Sequence, residues 1–289
     1  MTYYGHLAYN LYTPVDANVT INAIGDYAPS IVLIGGKEYY TSNAGWITPQ
    51  TAIDDTEAKI VYTIDGVSYT ANFKLSALIY ANIICDDYSG ATEVETDAIK
   101  KLIAYIEEIY EFKGLLTAEA SAKFNSFFND FNEGSRPAYI TEYPENECHT
   151  VDTEFSKHVN SFGFNIHSNN RFSLVIVLNK NAVDAGYKIT VSGISSSIKY
   201  TTVSQNDSTP KYNDDGSLTY FTDNTSLANG IMSSKYTVSV VDAQGNVVAT
   251  TNYSLATYIK GVEGKDGADV AKAIYTLGKA LIEVRNSLY

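Results

Sequence analysis

Asn72-Phe73-Lys74-Leu75-Ser76-Ala77-Leu78-Ile79 has an echo late in the chain, Asn252-Tyr253-Ser254-Leu255-Ala256-Thr257-Tyr258-Ile259. An internal repeat governs how the rest of a sequence is read, because each copy must bury its own apolar face. Upstream of the first copy, Lys59–Ile64 and Val67–Phe73 flank Asp65-Gly66, a dipeptide suited to the positive φ angles of a two-residue hairpin turn. Upstream of the second, Tyr236–Asp242 and Asn246–Tyr253 flank a turn containing Gly245. Leu75, Leu78 and Ile79, like Leu255, Tyr258 and Ile259, then fall at the i, i+3, i+4 spacing of a short helix.

A longer amphipathic helix follows in each half. Ile99, Leu102, Ile103, Ile106, Ile109 and Tyr110 form one stripe; Val270, Ile274, Leu277, Leu281, Val284 and Leu288 form the other. Such stripes need a surface to lie on, and the preceding strands supply one. A second echo sets Leu7-Ala8-Tyr9-Asn10-Leu11-Tyr12 against Phe162-Gly163-Phe164-Asn165-Ile166-His167, with alternating strands after each, Asp16–Ile24 and Arg171–Asn179. The expected fold is α+β, mainly β: two tandem duplicated modules, each a sandwich-like antiparallel sheet with C-terminal helices packed on it. The expected boundaries are 1–112 for the first module, 113–149 for a helical linker and connector, and 150–289 for the second. Within the connector, Thr117 caps a helix whose Phe124, Phe127, Phe128 and Phe131 line one face, and Gly134 ends it.

The chain has 289 residues, 45% of them hydrophobic, which suffices for two ordinary cores. Its formal net charge is -13 with only 20 Lys+Arg, so a nucleic-acid or anionic-lipid partner, each of which needs basic patches, is not expected. Membrane insertion is not expected either, since no apolar run approaches the ~20 residues of a spanning helix. Met1–His6 lacks the basic start and apolar run of a signal peptide, which suggests a part excised from a longer protein. Acidity with many Tyr, Ser, Thr and Asn suits an extracellular or cell wall-associated setting. Cys85 and Cys148 have no zinc-ribbon or redox spacing, and they read as two independent thiols or one disulfide.

Candidate chemistry is sparse. Gly261-Val262-Glu263-Gly264-Lys265-Asp266-Gly267 lacks the hydroxyl of a phosphate loop and carries repelling acids. Asp54-Asp55, Asp86-Asp87 and Asp214-Asp215 are neighbours in sequence, so they point apart on a strand; folding would have to unite separate acids to cleave a glycosidic bond. Calcium is a weak expectation, because no ordered Asp-x-Asp-x-Asp-Gly loop occurs; otherwise no cofactor and no catalytic residue are expected. Cys148-His149 with Asp152 and Glu154 is a conceivable metal set, against the plainer reading of a solvated acidic loop. Trp46, in the polar stretch Thr41–Thr48, reads as a loop aromatic; with Tyr39 and Tyr40 it is the candidate ligand-binding set, while the alternative makes it a cover for one end of the sheet core.

Tyr253-Ser254-Leu255-Ala256-Thr257-Tyr258-Ile259 and Val270-Ala271-Lys272-Ala273-Ile274-Tyr275-Thr276-Leu277-Gly278-Lys279-Ala280, with Asn165-Ile166 and Asn10-Leu11 upstream, resemble repeated C-terminal modules of surface proteins from gut Firmicutes. The first half departs from that pattern: Phe73-Lys74 stands where Tyr-Ser is expected, and its helix has no Gly. The resemblance implies a secreted or wall-associated, non-catalytic accessory module; the duplication, the acidity and the lack of a catalytic constellation add the expectation of adhesion or display, with a carbohydrate or extracellular protein as ligand. The alternatives are a carbohydrate-processing domain and a purely structural spacer.

Overall fold

Asp65 and Gly66 take φ angles of 49° and 77°, and Ile64 lies opposite Val67, as a two-residue hairpin turn requires. The computed structural model in which this is seen describes residues 2–3, 7–34, 36–47, 52–87, 89–166, 171–192, 200–201, 212–222, 225–226 and 235–287. The fold is α+β and β-rich, and the chain divides into two compact units, Met1–Pro137 and Ala138–Tyr289.

In the first unit the strands are β1 (Thr2–Tyr3), β2 (Leu7–Pro14), β3 (Val19–Ile24), β4 (Ser30–Ile34), β5 (Lys37–Ile47), β6 (Thr56–Ile64) and β7 (Val67–Leu75), followed by helices α1 (Ala77–Cys85), α2 (Glu93–Phe112) and α3 (Ala118–Asn132). They form an antiparallel sheet in the order β1-β2-β5-β4 and a second in the order β3-β6-β7. Among the helices, Ile103, Tyr105, Phe124 and Phe128 are fully buried. Tyr110 meets the edge of Phe124 at 5.6 Å. The phenylalanine stripe is therefore core. Thr117 Oγ1 accepts the Ala120 amide at 3.1 Å, and the helix closes as the Gly134 amide donates to the Phe128 carbonyl at 2.8 Å. Arg136 grips Glu107 through two nitrogens, at 2.9 and 2.6 Å, and lies over the Phe128 ring at 4.5 Å. The residues expected to form one connector at 113–149 are thus divided at Pro137: the helix and the turn after it belong to the first unit, and 138–149 to the second.

In the second unit the order is α4 (Thr153–Ser156), β8 (Val159–Ile166), β9 (Arg171–Leu178), α5 (Lys180–Asp184), β10 (Lys188–Ser192), β11 (Tyr200–Thr201), β12 (Leu218–Thr222), β13 (Thr225–Ser226), β14 (Tyr236–Val241), β15 (Val247–Tyr253), α6 (Leu255–Val262) and α7 (Ala268–Ser287). One sheet runs β10-β14-β15; the other runs β8-β9-β12-β11, with β13 also on β9. Both units thus hold a three-stranded sheet beside a larger one, and β13 on β9 has no counterpart among the described strands of the first unit. Phe164, Tyr236, Val238, Ile274, Tyr275 and Leu277 are core, and Tyr253 stacks between Phe162 at 4.1 Å and Phe164 at 5.6 Å.

The two echoed segments do not fall at the same places in their elements. Ser76 and Ser254 have nearly the same backbone, φ -149°/ψ 167° and φ -148°/ψ 171°, and each accepts the amide three residues on as the cap of its helix. Set by their capping serines, Leu75-Ser76-Ala77-Leu78-Ile79-Tyr80 lines up with Tyr253-Ser254-Leu255-Ala256-Thr257-Tyr258, two residues off the sequence echo. Burial agrees: Ala77, Leu78 and Ala81 are covered at the places of Leu255, Ala256 and Ile259. Leu75 ends a strand and is not helical. The second echo compares β2, which pairs with β1 and β5, with β8, which among the described residues pairs with β9 alone.

Candidate functional site

The exposed end of the first unit's four-stranded sheet is the outstanding surface. Strand β4 is bounded by Pro29 and by Gly35-Gly36, and Gly36 has a φ of +79° that the tight turn into β5 requires. The register sets Val32 against Tyr39 and Ile31 against Tyr40. Among the described residues nothing pairs with the outer side of β4. Its Ile31 is 55% exposed, Leu33 70% and Ile34 48%; Tyr27, just before it, is exposed as well. Apolar side chains on an unpaired edge are a liability in a monomer and a common mark of interaction sites. Beside them a shallow groove of about 650 Å³ is lined by Pro14, Val15, Leu33, Lys37, Glu38 and Tyr39.

The expected ligand set is dispersed by this geometry. Trp46 is in β5, opposite Ala8, and not in a loop; its side chain lies outside the described residues. The run Thr41-Ser42-Asn43-Ala44-Gly45 separates Tyr40 from Trp46 along this strand, and a bulge near Tyr9/Asn10 shifts its register. Tyr39 and Tyr40 are half-buried neighbours on one strand and so face opposite sides of the sheet. Trp46 and Tyr39 sit opposite Ala8 and Pro14, which puts them roughly 20 Å apart along the sheet. The sequence reading found the two tyrosines but missed Ile31, Leu33 and Ile34. A proline, a short apolar run and a glycine pair were the available signal for an edge hairpin.

A second feature of the first unit is an acidic cleft of about 760 Å³, where Asp86, Asp87, Glu93, Asp130 and Glu133 gather with Lys100 and Cys85. Burial pushes the Cys85 thiol above its usual value, despite Lys100, so it stays protonated. Among the described residues no group of three or more His, Cys, Asp or Glu is placed to hold a metal ion. Asp55 pairs with Lys74 at 3.2 Å, and Asp215 accepts from the amide and hydroxyl of Ser217 in a turn.

The third feature stitches residues 138–152 to the second unit. The Glu147 carboxylate is buried, accepting from the Tyr275 hydroxyl at 2.6 Å and from Lys279 Nζ at 2.5 Å. Burial, then the Glu147 acceptor, pushes the Tyr275 phenol far above its usual range. The Ser254 hydroxyl donates to the Glu147 carbonyl, while Thr276, Thr257 and Thr251 accept the amides of Ile140, His149 and Asp152 at 2.9, 2.9 and 3.0 Å. Asp152 caps α4 and Glu154 pairs with Lys157 at 2.7 Å, so the conceivable Cys148-His149-Asp152-Glu154 metal set is dismantled. His149 Nε2 is buried with no partner among the described residues, and burial, helped by Lys235, holds the ring below its usual value, hence neutral. Both cysteines are free thiols. His6 and His167 lie outside the described residues.

The chain matches no model of a known protein family, and no curated protein matches it. No helix among the described residues is long and apolar enough to cross a membrane.

Proposed function

We propose that this chain is a non-catalytic accessory protein of the extracellular space or cell wall, built from two copies of one strand-then-helix module, which binds a carbohydrate or protein ligand through the β4–β5 edge. The exposed apolar edge carries the binding part of this reading, since the same side chains would be covered if the sheet served only its own core. The repeated strand order and the matched Ser76 and Ser254 caps support duplication, and the two sheets in each unit support a sandwich. The resemblance to surface modules supports the setting. Glycan and matrix-protein arrays probed with the wild-type chain and with Leu33→Lys test it. Binding lost in the variant is the expected result; blank arrays for both would leave a spacer role.

A second reading rests on the acidic cleft. Of the five acidic residues along this groove, one held as the carboxylic acid could protonate a glycosidic oxygen while a second, as carboxylate, activates water, given a suitable separation. Turnover of any member of a broad glycoside panel, abolished by Asp130→Asn or Glu133→Gln, would favour it over the binding role.

A further inference from the structure

We infer that the outer edge of β4 pairs with β4 of a second copy of this chain, antiparallel about a two-fold axis at Val32. This rests on reading the edge as a binding surface and names its partner. The Glu38 carbonyl accepts the Val15 amide at 3.0 Å, so the Glu38 backbone faces away from β4. Leu33 lies opposite Glu38 and Ile31 opposite Tyr40, so neither exchanges ladder hydrogen bonds with β5. The N–H and C=O groups of both therefore point outward, while Ser30, Val32 and Ile34 bond inward. Two outward residues spaced by one satisfy each other across a two-fold axis: Ile31 pairs with Leu33 of the second copy and Leu33 with Ile31. Shifting the register by one pair in either direction sets Leu33 against Pro29, which has no N–H, or Ile31 against Gly35, past the last residue of the strand. Only the register centred on Val32 uses every outward group of the strand.

The charge distribution fits a like partner. Pro29–Gly36 carries no charge in a chain of net charge -13, and Lys37 beside Glu38 is balanced. The edge is thus a place where two acidic copies meet without opposed charge. A stable interface buries about 1,200–2,000 Å². One pair of five-residue strands falls short of that, so the pairing is reversible and concentration-dependent.

Two measurements test this. Sedimentation of the wild-type chain over a wide concentration range should show a monomer–dimer equilibrium, weakened roughly tenfold or more by Leu33→Lys, whose exposed position leaves the melt unchanged. In a background with Cys85→Ser and Cys148→Ser, Val32→Cys places two thiols at a non-hydrogen-bonded pair about 4.5 Å apart between Cα atoms, within disulfide range. It should cross-link on oxidation. Ser30→Cys and Ile34→Cys should each stay unlinked alone and link when mixed. Equal cross-linking of all three single variants overturns the register. A wild-type monomer at every concentration, with Val32→Cys unlinked, overturns self-pairing. If Leu33→Lys then still loses an array ligand, the binding edge stands with an extended foreign segment as its occupant; if the arrays are blank, both readings fall.

Discussion

Glu147 joins two parts of the second unit that lie far apart in sequence, and its neighbours make its charge tolerable. Replacing Lys279 by Met leaves a nearly buried carboxylate with the Tyr275 hydroxyl alone, and should destabilise the chain by about 2–4 kcal/mol. Converting Glu147 to Leu in the same chain should recover part of that loss, because the stranded charge is gone; urea melts of the single and double variants check both. The buried tyrosines give a pH dependence of definite sign. Burial, partly offset by hydrogen bonds to the Ile53 and Ala52 backbone, pushes Tyr110 up to about 12, while an unfolded tyrosine ionises near 10. Between those values the unfolded chain holds fewer protons than the folded one, so stability falls as pH rises. Tyr110 alone should account for up to about 2–3 kcal/mol by pH 12, and Tyr105, Tyr253 and Tyr275, raised further by burial, act in the same direction. Urea midpoints that stay flat from pH 8 to pH 11 would contradict this.

At the scale of elements, the two serine caps offer a matched comparison. Ser76→Ala should cost about 1 kcal/mol, the ordinary value of a lost cap. Ser254→Ala should cost about 2–3 kcal/mol, because it also strips the Glu147 carbonyl of a buried donor. Circular-dichroism melts of the two variants decide it. Much of this level was legible in the sequence. Asp65-Gly66 announces its hairpin, and the helical stripes carry a period that survives any packing. The register of the echo was not legible, since Phe73 and Tyr253 look more alike than Leu75 and Tyr253, and only backbone angles reveal which serine caps. Nor was the exposure of β4: a short apolar run reads equally well as a buried strand, and its covering is decided by strand order, which no local pattern encodes. Trp46 was misplaced because the unalternating run Thr41-Ser42-Asn43-Ala44-Gly45 before it looks like a loop when its partner strand is unknown.

At the scale of the whole molecule, each unit has its own buried core and its own pair of sheets. Residues 1–137 and 138–289, expressed separately, should each melt cooperatively, as units with independent interiors do. Loss of folding in one piece would show that its core is completed by the other. The acidic cleft and the β4 edge both belong to the first piece, so ligand binding should travel with it. The threonine and serine hydroxyls that tie residues 138–152 down have a mechanical corollary. Tension applied to the backbone at Ala138 would reach α7 through Thr276, Tyr275 and Lys279 before loading any ladder of paired strands. The second unit should then yield to a stretching force as a sheared anchor, which resists more strongly than a hairpin opened rung by rung.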